Sequence, residues 1–401
     1  MVLGANQPSA TAQAGKRAAF VTLLFASSMT VMAGATIAPS LPQIERVFAG
    51  TANVELLTRL VLTITAIFTV IGSPIAGMIV DRFGRKPLLI VGLIFYAVAG
   101  TTGLYVDSLL ALLVGRALLG LSVACIMTTA TTLIVDLHEP AERATAIGRQ
   151  SAFVGAGGVV FLLVGGFLAD IGWRAPFGIY FASLLILFFA LRLVQEPDRK
   201  QTHEGDKTAA WPIPTVVMIV AFVLIAQIAF YLWPVQLPFY IEERFGLGGS
   251  SAGLAIAMAS GTTVVTSMLY GRFRKVLGNL GLVAFAYGGL GVVNLLVAYA
   301  PNFPFLLAAL VLGGASIGLM FPHGANWITS VVPEPLRGRA VGLATAALFS
   351  GHFLSPLISQ PVMQAVGYAQ GYQLFGQILV GMGVVIGAIA AGSGRLRRRV
   401  G

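Results

Sequence analysis

Two histidines stand inside long apolar runs, and histidine is the side chain whose charge changes nearest physiological pH. His352 lies in ALFSGHFLSP, and His323 lies in GLMFPHGANW with Asn326 and Trp327 three and four residues on, hence on one helical face. Either imidazole could carry a proton, and either could equally be a neutral ring hydrogen-bonded between helices. Gln227 and Tyr231 are one turn apart in AFVLIAQIAFYLWPVQLPFY, where Trp233 and Gln236 follow beside Pro234 and Pro238. Amides and rings at that spacing can hydrogen-bond and stack on an organic ligand, and the prolines kink a helix and free its carbonyls. Tyr231 and Trp233 also suit an interfacial belt. Arg116, in LLVGRALLGLS, is the basic residue in the body of an apolar run. A charge there costs about 2.5–3.5 kcal/mol on insertion scales, so it needs an interior partner or must snorkel to the nearer end. All fifteen Asp and Glu residues fall in polar segments or at the ends of apolar runs. A buried cationic ligand would find no counter-charge here, whereas a neutral or anionic one would meet Arg116.

A second cluster is built of charge. The stretch GMIVDRFGRKP, Gly77 to Pro87, packs Asp81, Arg82, Arg85 and Lys86 around Gly84 between two apolar runs. Asp81 can meet the positive N-terminal end of a neighbouring helix. Arg82, Arg85 and Lys86 can pair with Asp136 or Glu142, and Gly84 permits a sharp turn. Arg143 follows in the next loop on the same side, with a counterpart in Arg337 or Arg339 far along the chain.

The elements that must position these residues follow from composition. Hydrophobic residues are 57% of the 401 and charged residues 10%, against about 25% charge in a soluble domain. A hydrocarbon core about 30 Å thick takes roughly 20 apolar residues per helix. That ruler predicts an all-α polytopic protein of twelve membrane-spanning helices, near 17–41, 56–80, 88–106, 109–135, 144–169, 175–194, 212–240, 250–270, 280–299, 303–331, 340–366 and 370–392. The runs are apolar on every face, which argues against a barrel of alternating strands. With the N-terminus inside, all but five of the 25 Lys and Arg fall on the cytoplasmic side. The net charge of +10 therefore orients helices and implies no nucleic-acid partner. The first fifteen residues show no signal-peptide pattern. Cys125, the single cysteine, reads as a small packing residue. No nucleotide-binding loop, metal-ligand cluster or nucleophile–base pair is present, so neither an enzyme nor a cofactor or metal is expected.

Six spans precede the polar segment Gln195–Trp211 and six follow it. The expected division is a tail over 1–16, a six-helix bundle over 17–194, a central loop over 195–211, a second bundle over 212–392 and a basic tail over 393–401. An offset near 194 lays Gly157, Gly165 and Gly166 of span 5 over Gly351, Ser359 and Gln360 of span 11, beside Pro356. It also lays Leu41-Pro42 over Leu237-Pro238, and SMLYGRFRK (Ser267–Lys275) over the loop after span 2. Parallel six-helix repeats are one way transporters are built. Gly157, Gly165 and Gly166 would let helices approach closely, for packing or for one bundle sliding on another.

The pattern G-x-x-x-D-R-x-G-R-K over Gly77–Lys86 resembles the loop 2–3 signature of the major facilitator superfamily of secondary transporters. Arg116-x-x-x-Gly120 resembles the span 4 signature of its proton-coupled exporters, with Leu119 where Gln is frequent. Gly157, Gly165 and Gly166 fit the span 5 pattern of the drug and metabolite antiporter branch, with Phe161-Leu162 in place of Gly-Pro, and GWRAPF (Gly172–Phe177) looks like the same branch. The resemblance covers residues 17–392. It implies alternating access by two rocking bundles around a site lined by spans 1, 4, 5, 7, 10 and 11, and a latch of Asp81 against the start of span 11 near Arg337–Ala340. It also implies Arg116 in coupling. The function it implies is proton-driven export of a small organic compound, by a monomer in a bacterial inner membrane with both termini cytoplasmic. Import or facilitated passage of a small anion held by Arg116 is the alternative. A membrane sensor or assembly protein that moves no substrate is the reading of another class.

Overall fold

In the computed structural model, which describes residues 10–197 and 211–400, helix dominates and no strand occurs among the described residues. Twelve helical stretches there are long and apolar enough to cross a membrane: spans 1 to 6 over Gln13–Val47, Val54–Phe83, Arg85–Leu104, Leu109–Leu137, Arg143–Ile171 and Ala175–Leu193, and spans 7 to 12 over Ile213–Phe245, Gly249–Met268, Tyr270–Ala298, Phe303–Val331, Glu334–Val366 and Tyr368–Gly392. Large apolar side chains such as Phe167, Ile171 and Val384 point outward, as lipid requires. Most of the central polar segment, residues 198–210, lies outside the described residues, as do residues 1–9 and 401.

Within the first half, spans 1, 4 and 5 pack together, span 2 packs on span 4, and spans 3 and 6 complete the group. The second half repeats this: span 7 packs on spans 10 and 11, span 8 on span 10, and span 9 on span 12. Two seams join the halves, span 5 against span 8 and span 2 against span 11. The repeat reaches single hydrogen bonds. Thr69 Oγ1 donates to the Gly120 carbonyl at 3.1 Å, and Thr263 Oγ1 to the Gly314 carbonyl at 3.2 Å. A Cβ on Gly120 would collide with the Thr65 carbonyl, and one on Gly314 with that of Ala259. Each pair lies at the offset of 194 visible in the sequence.

Three boundaries differ from expectation for local reasons. Helix begins at Ala10, ahead of the expected start of span 1, and its first segment ends at Ala35. Pro39, at the start of the 3-10 turn Ala38–Ser40, cannot donate back to Ala35, and a short helix Leu41–Val47 completes the span. The expected loop before span 9 is helical from Tyr270, kinked where Gly278 takes φ 66°. Gly84, the turn between spans 2 and 3, has φ 95° and is its counterpart in the other half. Both conformations suit glycine alone. Helix also continues to Val400, through the stretch expected as a basic tail.

Candidate functional site

The rim bearing Asp81 to Lys86 is called the basic rim, and the opposite one the far rim. Between them, spans 7 and 11 bring together three of the residues singled out from the sequence. The Tyr231 ring stacks on the His352 imidazole at 3.8 Å between centroids and 14° between planes. His352 Nε2 lies 3.2 Å from Gln227 Oε1. A carboxamide oxygen only accepts, so Nε2 carries the hydrogen and Nδ1 is left as the acceptor. Backbone packing fixes this pair. Gly351 leaves no room for a Cβ beside Gln227, and Ser355 Oγ donates to the Ile228 carbonyl at 2.9 Å. Pro356 within span 11 frees the carbonyl four residues back, that of His352. Phe349 meets His352 edge-on at 5.6 Å, and Phe230 does the same to Phe321 at 5.6 Å. Across the midline the Tyr231 hydroxyl sits 3.2 Å from where a Cβ of Gly34, in span 1, would stand. An aromatic surface with one imidazole, one phenol and one carboxamide thus lies at the junction of the halves. It can stack a planar group and exchange a proton through the imidazole.

The other residues of interest fall elsewhere. Trp233 is fully buried, with Nε1 donating to Asn294 Oδ1 at 3.0 Å. Its ring fills the space beside Gly313, so it joins span 7 to spans 9 and 10. His323 is buried with Nδ1 3.1 Å from the Tyr270 hydroxyl and 5.1 Å, ring to ring, from Trp327. Trp327 stacks in turn on Phe222 at 6.2 Å. Asn326 is exposed and donates to the Pro322 carbonyl at 2.7 Å, apart from the His323–Trp327 pair.

Arg116 is fully buried and does not snorkel. Its Nε donates to the Val61 carbonyl at 3.0 Å, its Nη1 to the Tyr180 hydroxyl at 2.8 Å, and its Nη2 to the Ala33 carbonyl. Tyr180 donates to the same Ala33 oxygen at 2.9 Å. Ala33 belongs to the last turn of the broken first segment of span 1, where carbonyls lack helical partners. The guanidinium therefore caps a helix C-terminus, a placement the helix dipole favours, and holds spans 1, 2, 4 and 6 together. Its partner Ala33 is the chain neighbour of Gly34, which faces the Tyr231 hydroxyl.

Arg59 lies near the far-rim end of span 2, where the charge pattern predicts a residue on the outer side, yet its side chain is fully buried. Nε donates to Gln236 Oε1 at 2.9 Å, Nη1 to Glu45 Oε2 at 2.6 Å and to the Glu55 carbonyl at 2.7 Å, and Nη2 to the Tyr368 hydroxyl at 2.8 Å. Its guanidinium lies 3.8 Å above the Phe239 ring. Gln236, expected to line the ligand site, instead completes this lock, donating to Ser359 Oγ at 2.9 Å and Gln360 Oε1 at 3.1 Å. Gln360 and Gln364 donate to Glu55, and Arg46 pairs with Glu242. Both halves contribute, so the far rim is closed. A hydropathy pattern cannot find Arg59, because an arginine one turn inside a span looks like one at its end.

The basic rim is tied within the first half. Arg85 pairs with Asp136 at 3.0 Å. Glu196, not singled out in the sequence, accepts from the backbone N–H groups of Arg85 and Lys86 at 2.8 and 2.6 Å and so caps span 3 beside Gly84. Arg143 donates to the Val135 and His138 carbonyls at 3.2 and 3.3 Å, capping span 4. Asp81 and Arg82 are exposed, as are Arg337, Gly338 and Arg339 at the start of span 11, and a Cβ on Gly77 would meet open space. In span 5, Gly157 abuts Ser28, Gly165 abuts the Thr36 carbonyl of span 1, and Gly166 faces Gly249 and Gly253 of span 8 across the seam.

Comparison with known proteins adds to this geometry. A family model described as Major Facilitator Superfamily matches residues 23–356 and 217–393. Multidrug resistance protein 1 of Bacillus subtilis (strain 168) is 28% identical over 302 residues, covering 73% of this chain and 77% of that protein. Quinolone resistance protein NorA of Staphylococcus aureus (strain COL) is 23% identical over 330 residues, 80% of this chain and 84% of that one. Among solved structures, the nucleoside transporter NupG superposes with a TM-score of 0.77 at 12% identity, over 93% of this chain and 99% of that one. A D-xylose-proton symporter superposes with a TM-score of 0.73 at 16% identity, over 92% and 96%.

Proposed function

Given that the chain belongs to the Major Facilitator Superfamily, a multi-pass membrane transporter and not an enzyme, we propose that it exports a small organic compound, driven by protons entering down their gradient. The observation that carries this reading is the Tyr231–His352–Gln227 site at the junction of two halves that are locked together at the far rim. By the positive-inside rule the basic rim faces the cytoplasm, so the site takes its ligand from inside. The names of the relatives in Bacillus subtilis and Staphylococcus aureus favour efflux.

The chemistry of the lining favours a planar aromatic ligand that is neutral or anionic. Among the described residues the carboxylates lie at the rims, where Glu45 and Glu55 serve the Arg59 lock, so a cation at Tyr231 would lack a counter-charge. His352 is the proposed proton carrier. Its Nδ1 can take a proton when the site opens to the acidic side and lose it when ligand enters from the other. The monomer would work without a cofactor. Anion passage anchored on Arg116 loses support, since that guanidinium is engaged by Val61, Ala33 and Tyr180.

Proteoliposomes with an imposed pH gradient test the reading. Nalidixate, a planar aromatic anion, should be moved at a rate that drops about tenfold when the gradient is collapsed, while ethidium, a planar cation, should move little. Gradient-driven ethidium flux as fast as that of nalidixate would overturn the substrate class.

A further inference from the structure

At the far rim, the end of span 5 meets the start of span 8 across one of the two seams. Asp170 lies there, in the last turn of span 5. Its Oδ1 and Oδ2 accept from the backbone N–H of Ser250 at 3.3 and 3.2 Å, and Oδ2 accepts from the Ser250 hydroxyl as well. Ser250 is the second residue of the helix Gly249–Met268. The carboxylate of one half thus caps the helix N-terminus of the other, where free N–H groups and the helix dipole both favour negative charge. The approach depends on small residues. A Cβ on Gly248 would stand 2.8 Å from Asp170 Oδ1, and one on Gly166 would stand 2.7 Å from the Gly249 carbonyl.

The other seam shows that this is not a generic feature of the repeat. The offset of 194 carries Asp170 to Gln364, and Ser250 to Leu56 beside Glu55. There the polarity is reversed: Gln364, at the end of span 11, donates to Glu55 at the start of span 2. A carboxylate near the end of a seam helix occurs at Asp170 of span 5 on the far rim and at Asp81 of span 2 on the basic rim, where the family resemblance implies a latch on the start of span 11. The two sit in opposite seams and at opposite ends. Rocking the halves about the midline opens one rim as it closes the other.

We propose that Asp170 is the far-rim latch: its cap on span 8 stabilises the state closed at the far rim and must break for that rim to open. The inference goes beyond the export reading and holds for a transporter working in either direction. Pulsed electron paramagnetic resonance on the full chain in nanodiscs tests it, with spin labels at Tyr105 and Tyr299, which are both exposed beyond the far ends of spans 3 and 9. In the wild-type background the short-distance population should dominate. Asp170→Asn weakens the acceptor, and Ser250→Ala removes the hydroxyl donor without touching Asp170. Each should raise the ratio of long-distance to short-distance populations at least about threefold, the scale expected for one cap at an exposed rim. A distance distribution that neither variant moves would overturn the proposal.

Discussion

A buried arginine can serve a ligand or serve the fold, and the partners of Arg116 decide between the two. It donates to two backbone carbonyls and a tyrosine, and its removal would leave the Ala33 oxygen with Tyr180 as its one side-chain donor and the Tyr180 hydroxyl without its cation. Arg116→Ala should therefore cost about 3 kcal/mol, the scale of charge-assisted hydrogen bonds in a buried place, read as a lower Tm in detergent. The KM for an anionic ligand should change little in the protein that remains folded. An unchanged Tm with a KM raised tenfold would make Arg116 an anchor instead. Much at this scale was legible. An intramembrane arginine needs a partner, Gln227 and Tyr231 share a turn, and His352 sits at mid-span; these are facts of spacing. Sequence cannot say which partner a side chain finds across 100 residues. Gln236 and Trp233 read as ligand-lining but belong to the Arg59 lock and to the Asn294 contact.

At the scale of the element, the limits are set by backbone contact between helices. Gly165 lies against the Thr36 carbonyl and Gly314 against that of Ala259. Gly165→Ala and Gly314→Ala should each destabilise by about 1–3 kcal/mol through overpacking. Gly148, around which a Cβ would meet nothing within 4 Å, should accept alanine with a gain of up to about 1 kcal/mol. Thermal unfolding of the three variants checks this, and equal Tm values would refute the packing account. Helix number and order were readable because hydrocarbon thickness sets a length that composition reveals. The break in span 1 and the helical turn before span 9 were not. Both depend on single residues, Pro39 and Gly278, whose effect is local and leaves hydropathy unchanged.

For the whole molecule, the two seams do different work despite the repeat. Span 5 meets span 8 through glycines and the Asp170 cap, whereas span 2 meets span 11 through Glu55, Gln360 and Gln364, with Arg59 bound to Gln236 beside them. Removing the polar lock should free the far rim. Arg59→Gln should speed amide exchange in residues 55–60 and 236–241 at least about fivefold, since local opening governs exchange, and should leave 109–115 unchanged. Equal acceleration throughout would mean general destabilisation and no specific lock. In the proposed cycle this rocking is joined to a proton at His352. The most direct test of that coupling is nalidixate flux in proteoliposomes with the pH gradient imposed and then collapsed, for the wild type and for His352→Gln. Wild-type flux should follow the gradient, while the variant should still bind nalidixate and move it at a rate indifferent to the gradient. A variant that keeps the full gradient dependence would contradict a coupling proton at His352.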